Sequence, residues 1–187
     1  MSQRKYALKT TELREYAHKL QVGNRVYLSG TVYTARDAAH SRLIALLDEG
    51  APLPLTLEEA VIYYAGPTPA PEGRVIGSCG PTTSLRMDPF APRLYDLGVA
   101  ATIGKGERSE AVREAVIRNG AVYLCAVGGA GALIARHVVE AEEVAFPELG
   151  CESVKRLLIE DLPLIVALDC SGGDIFAAAR ETWGRGE

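Results

Sequence analysis

"VAATIGKGERSEAVREAVIRNGAVYLCAVGG", Val99 to Gly129, decides the fold. Its two ends, "VAATIGKG" and "AVYLCAVGG", read as short extended segments, and "SEAVREAVIRNG" between them reads as helical. The same rhythm continues outward. "PRLYDLG" precedes this unit as a helix and "AGALIARHVV" follows it as another. Such alternation argues for an α/β domain with a mixed, partly parallel sheet flanked by helices.

Further toward the N-terminus, "TTELREYAHKL" carries Leu13, Ala17 and Leu20 at helical spacing behind Thr10 and Thr11. "NRVYLSGTVYTA" has strand composition with a bulge expected near Ser29-Gly30, and "RDAAHSRLIALLDEG" is a helix stopped at Gly50. "GAPLPL" is a loop. In "TLEEAVIYYAGP" the capping-box spacing of Thr56 and Glu59 competes with the strand composition of "AVIYYAG", and the strand is preferred. "APEGRVIGSCGP" is expected as a further short strand. Beyond the alternating region lie "CESVKRLLIED", the apolar strand "LPLIVALDCSG" and a tail helix ending at Trp183.

The 187 residues suit one domain, 1–187, and no repeat or composition shift divides them. Hydrophobic residues at 48%, charged residues at 24% and a net charge of −4 provide no basic footprint for nucleic acid or an anionic membrane. No apolar run reaches membrane-spanning length, and "MSQRKYALKT" lacks the apolar centre of a signal peptide, so a cytoplasmic location is expected. Cys79, Cys125, Cys151 and Cys170 are scattered, with no metal-ligand spacing, and are expected as buried free thiols. His18, His40 and His137 show no ligand spacing either, although His40 sits near a suspect turn.

Polar residues gather where strands end: "YTARDAAH", "GPTTSLRMD", "GKGERS" and "CSGGD". In open α/β folds ligands bind beyond the carboxyl ends of strands. Three of these turns supply cations, Arg36, Arg86 and Lys105. Two guanidiniums and an ammonium beside hydroxyls suit a small dianion, because guanidinium grips carboxylate bidentately and ammonium adds a point charge. Thr82 and Thr83, after Pro81, are expected to open a helix whose N-terminus favours an anion. The competing structural accounts are an Arg36–Asp37 pair at a helix start, an Arg86–Asp88 pair on a solvated face, and a plain turn at "GKG". "VGGAGALIARH" invites a dinucleotide reading, but Ile134 stands where that motif needs glycine. Close packing at Gly128 to Ala132 is the alternative.

Taken in order, "LSGTVYTARDAAH", "GSCGPTTSLRMD", "IGKGERS", "AVGGAGAL" and "ELGCESVKRLLIEDLPLIVALDCSGGDIF" resemble the β subunit, or C-terminal domain, of class I fumarate hydratase. The β subunit of L(+)-tartrate dehydratase shares the pattern. The resemblance runs from Val22 to Phe176. It implies a swivelling β/β/α domain and a hydro-lyase that interconverts fumarate and malate, active only with an α subunit. It also implies an oxygen-sensitive [4Fe-4S] cluster on that α subunit, whose open iron is a Lewis acid. Arg36, Arg86 and Lys105 fall on the family's substrate-binding residues, and Thr82 on its proposed catalytic threonine. Leu85 departs from the pattern, since a small residue is usual there, and its side chain is expected either to narrow the pocket or to enter the core.

Two rivals from other classes remain: a nucleotide-binding module built on "GGAGAL", and a non-catalytic assembly protein on the same fold. A large surface for the α subunit is a further expectation, marked by exposed apolar residues near the strand-end turns.

Overall fold

The computed structural model describes residues 4–184. Its strands are β1 (Lys5–Lys9), β2 (Arg25–Thr34), β3 (Val61–Tyr63), β4 (Ala101–Gly104), β5 (Val122–Cys125), β6 (Val138–Ala145) and β7 (Val154–Leu168). Its helices are α1 (Leu13–Tyr16), α2 (Asp37–Asp48), α3 (Ala91–Asp96), α4 (Glu110–Arg118), α5 (Gly131–Ile134) and α6 (Ile175–Trp183). The sheet runs β1-β2-β3-β4-β5-β7-β6. β1 to β5 pair in parallel, and β7 is antiparallel to β2, β5 and β6. Because β7 pairs with both β5 and β2, the pairings β2-β3-β4-β5-β7 close into a ring.

Alternation along the strands explains the two cores. Val61 and Tyr63, Ala101 and Ile103, and Val122 and Leu124 bury together in one cluster, while Ile62 and Tyr123 join the second. The second cluster also takes Ala39 and Leu43 of α2, Leu94 and Tyr95 of α3, and Val112 and Val116 of α4. Side chains of one parity therefore fill the ring and those of the other pack under helices, which is why these strands read as continuous apolar runs.

The register of β2 against β7 shifts between Leu28 and Gly30, at the expected bulge. Gly30 has φ 120, and a Cβ there would collide with Thr10 Oγ1. "APEGRVIGSCGP" forms no strand. Thr68 instead receives Gly77 N–H on its carbonyl and Ser78 N–H on its hydroxyl, so the segment folds as a loop with Ile76 and Cys79 tucked inward. "AGALIARHVV" is helical only to His137, and β6 begins at Val138. "CESVKRLLIED" and "LPLIVALDCSG" contribute to one continuous strand, β7. No described helix is long and apolar enough to cross a membrane.

Candidate functional site

Four parallel strands, β2 to β5, end on the same side, and the segments that leave them carry the candidate residues. After β3, the "GPTTS" turn is stitched across two strand ends. Pro81 bridges Ala65, Thr82 N–H donates to Tyr64 carbonyl at 2.7 Å, and Thr83 pairs with Lys105 after β4. Ser84 N–H donates to Lys105 carbonyl at 2.9 Å, and Lys105 N–H returns a bond to Ser84 Oγ at 3.0 Å. The turn carrying Thr82 is thereby bonded both to the segment after β3 and to Lys105 at the end of β4. Among the described residues no ion pair or hydrogen bond occupies the Thr82 hydroxyl or the Lys105 ammonium.

The expected helix after the threonines is a single 3-10 turn, Ser84–Met87, with Thr83 at its N-cap and no side-chain capping bond. A helix that short provides little dipole, so anion binding here rests on side chains rather than on a helix end. Arg86 leaves this turn and reaches Asp37, Nε 2.9 Å from Oδ1 and Nη2 2.8 Å from Oδ2. Asp88 is therefore not its partner. Arg36, the N-cap of α2, places Nε 3.9 Å from the same Asp37 carboxylate and Nη2 3.4 Å from Glu152. The two arginines meet on Asp37. Gly66 gives Arg36 its room, since a Cβ there would lie 3.0 Å from both Cδ and Nη1 of the arginine.

Beneath these residues lies a buried floor that sequence reasoning passed over. Asp88 is paired with Arg108 of "GKGERS", Nε 2.7 Å from Oδ1, with the two side chains 1% and 7% exposed. Arg108 also donates to Thr102 Oγ1 at 3.1 Å and Tyr64 Oη at 3.3 Å, and its guanidinium sits 5.2 Å and 4.8 Å from the rings of Tyr64 and Tyr123. Tyr123 Oη lies 2.8 Å from both Gly106 carbonyl and Ser84 Oγ. The carbonyl can only accept, so the phenol proton goes to it and Ser84 donates to the phenol. The alternating charges in "LRMD" and "GKGERS" were the available signal, but which arginine takes which aspartate is a matter of three-dimensional proximity.

His40 closes the floor on the α2 side. It is fully buried, stacked on Phe90 and edge-on to Tyr64, with Nδ1 2.9 Å from Arg36 carbonyl. Burial lowers its pKa to about 4, so it is neutral at physiological pH.

The glycines of "VGGAG" have packing roles. Gly128 lies alongside the Lys105 stem, and Gly131 abuts Gly80, where a Cβ would come 2.9 Å from Gly80 N. Only Cys79 of the four thiols is fully buried, its pKa raised to about 12 by desolvation; Cys151 is exposed and Cys125 and Cys170 are half-buried. Leu85 enters no core, because it is 55% exposed beside Arg86. Val127 and Leu133, in the segments after β5, are exposed as well. A cleft of about 380 Å³ flanks the Arg36 side, lined by Pro67, Thr68, Val75, Cys151 and Lys155, and contains none of Thr82, Arg86 or Lys105. Those three stand on an open face. Among the described residues no three His, Cys, Asp or Glu side chains converge as a metal site, so this donor set does not fit an iron–sulfur cluster.

The sequence matches the family described as "Fumarase C-terminus" over residues 1–179. It is 39% identical to fumarate hydratase 2 of Leishmania major over 168 residues, covering 89% of this chain and 30% of that protein. It is 41% identical to the putative L(+)-tartrate dehydratase subunit beta of Methanocaldococcus jannaschii, covering 84% of each chain. Similarity to the L(+)-tartrate dehydratase subunit beta of Escherichia coli is 35%, over 90% of this chain and 85% of that one. The chain thus spans about 30% of the length of the fumarate hydratases it matches.

Proposed function

The chain belongs to the fumarase C-terminal family, and from that membership we propose that it is the substrate-binding half of a hydro-lyase that reversibly hydrates fumarate to malate. The observation that carries this reading is the convergence of Arg36 and Arg86 on one carboxylate, beside the turn that carries Thr82 and that bonds to Lys105 through Thr83 and Ser84. In this reading Arg36, Arg86 and Lys105 bind the two carboxylates of the substrate. Thr82, acting as its alkoxide, accepts the proton from C3 of malate and becomes the neutral hydroxyl, hydroxide departs from C2, and transfer of the threonine proton to that hydroxide yields fumarate and water and restores the alkoxide.

A threonine hydroxyl is a poor base, so the step needs positive charge that stabilises its alkoxide beforehand and positive charge near the carboxylate that takes up charge as the C–H bond breaks. In this reading Lys105 and Arg86 supply it. The closed ring with helices packed outside supports describing the domain as the swivelling β/β/α type. Because this chain's donors do not fit a cluster, we assign the [4Fe-4S] group of the family to a partner α subunit. The open face and the exposed Leu85, Val127 and Leu133 support a partner surface there. The glycine packing at Gly80 and Gly131 gives "GGAGAL" a role without a nucleotide.

The test is to purify the chain anaerobically alone and with its α subunit, and to follow fumarate absorbance with malate. Turnover by the pair alone supports the reading; oxaloacetate from L(+)-tartrate, with malate inert, selects the tartrate dehydratase instead. Thr82→Ala in the active pair is expected to lower kcat about 10²–10⁴-fold, with Thr82→Ser retaining part of it.

A further inference from the structure

Two guanidiniums drawn to one place repel each other, and something must hold them. Asp37 does so from the first turn of α2. That turn is pinned independently, since Glu152 Oε2 accepts Ala38 N–H at 3.1 Å while Oε1 pairs with Arg36. Behind it, His40 holds Arg36 carbonyl. The carboxylate therefore stands on a backbone that is fixed on both sides of it. It takes the Nε–Nη2 edge of Arg86 and leaves Nη1 with no protein partner among the described residues. A guanidinium has a second donor edge, so an arginine gripped along one side remains able to grip a ligand along the other.

We infer that Asp37 is a positioning residue of the anion site, a fixed strut that holds Arg36 and Arg86 as a convergent pair for an incoming dicarboxylate. This rests on the dicarboxylate reading above. The opposite role is a stand-in that occupies the arginines and must be displaced by substrate. The two roles differ in sign. Removing a strut weakens substrate binding, whereas removing a competitor strengthens it.

The experiment uses Asp37→Asn, which keeps the shape and removes the charge, and Asp37→Glu, which restores the charge on a longer stem. On the ¹⁵N-labelled full chain, the Arg86 Nε–H resonance, sheltered by its bond to Asp37, is expected to broaden or vanish in Asp37→Asn. In the active pair with malate, KM is expected to rise about tenfold or more with kcat within about threefold, as for loss of uniform binding. Asp37→Glu recovers part of the KM. An unchanged or lowered KM in Asp37→Asn overturns the positioning role, and so does an unchanged Arg86 resonance. If the wild-type pair turns over no dicarboxylate while the resonance still depends on Asp37, the ion pair stands, the dicarboxylate reading falls, and the positioning role falls with it.

Discussion

Arg108 and Asp88, twenty residues apart, form an ion pair almost shut off from solvent, and it ties the turn bearing Thr82 and Arg86 to the turn bearing Lys105. Asp88 also accepts Ser109 N–H on its other oxygen, so the N-cap of α4 shares the tie. Asp88→Asn leaves a buried guanidinium without its counter-charge. Urea denaturation at neutral pH should show a loss of about 3–5 kcal/mol, the usual cost of orphaning one member of a buried pair. A double replacement by apolar residues of similar volume should restore much of that stability without restoring the geometry of the site.

His40 makes stability depend on pH in a defined window. Its folded pKa of about 4 lies below the unfolded value of 6.5, so between these values the unfolded chain binds a proton that the folded chain refuses. Stability from this group is complete above 6.5 and falls as pH drops toward 4. The full difference is roughly 3 kcal/mol. Comparing urea midpoints of wild type and His40→Asn from pH 7.5 to 4.5 should show a shallower decline in the variant.

Gly104 ends β4 where Ser84 and Tyr64 close over it. A Cβ would collide with Ser84 Oγ and lie 2.9 Å from Tyr64 Cδ2. Gly104→Ala must push the "GPTTS" turn away from Lys105, at a cost of about 1–3 kcal/mol for overpacking. Thermal unfolding measures the loss. In the active pair kcat should fall as well, because the displaced turn carries Thr82.

Leu85 is exposed next to a half-exposed Arg86 and packs on nothing in this chain's core. Leu85→Asp should therefore change the chain's own stability by no more than about 0.5 kcal/mol. It should weaken association with the α subunit, seen as a lower co-purified fraction and a faster-dissociating complex. Unchanged association would move the partner surface away from this turn.

Where the candidate residues gather was largely legible in the chain. "YTARDAAH", "GPTTSLRMD" and "GKGERS" hold polar groups at strand ends, and the structure puts all three on one side of the sheet. What could not be read was the pairing among their charges. Asp88 is two residues from Arg86 and was a natural partner by spacing, yet the 3-10 turn sends Arg86 outward to Asp37 and Asp88 inward to Arg108. Glu152, more than a hundred residues from Arg36, has no local signal at all. "APEGRVIGSCGP" misled because apolar residues in a glycine-rich loop look like a strand when their burial comes from tucking over the end of the ring.

By itself the sequence determined the βαβ rhythm, the bulge at Ser29-Gly30, the apolar strands and the three cations, because each depends on periodicity, turn chemistry or residue type within a dozen positions. Closure of the ring through β7, the descent of Arg108 into a tyrosine-lined floor, and the meeting of Arg36 and Arg86 on Asp37 were decided only in three dimensions. Those depend on which distant segments share a burial site, and a charge removed from water takes the nearest counter-charge in space, whatever their separation along the chain.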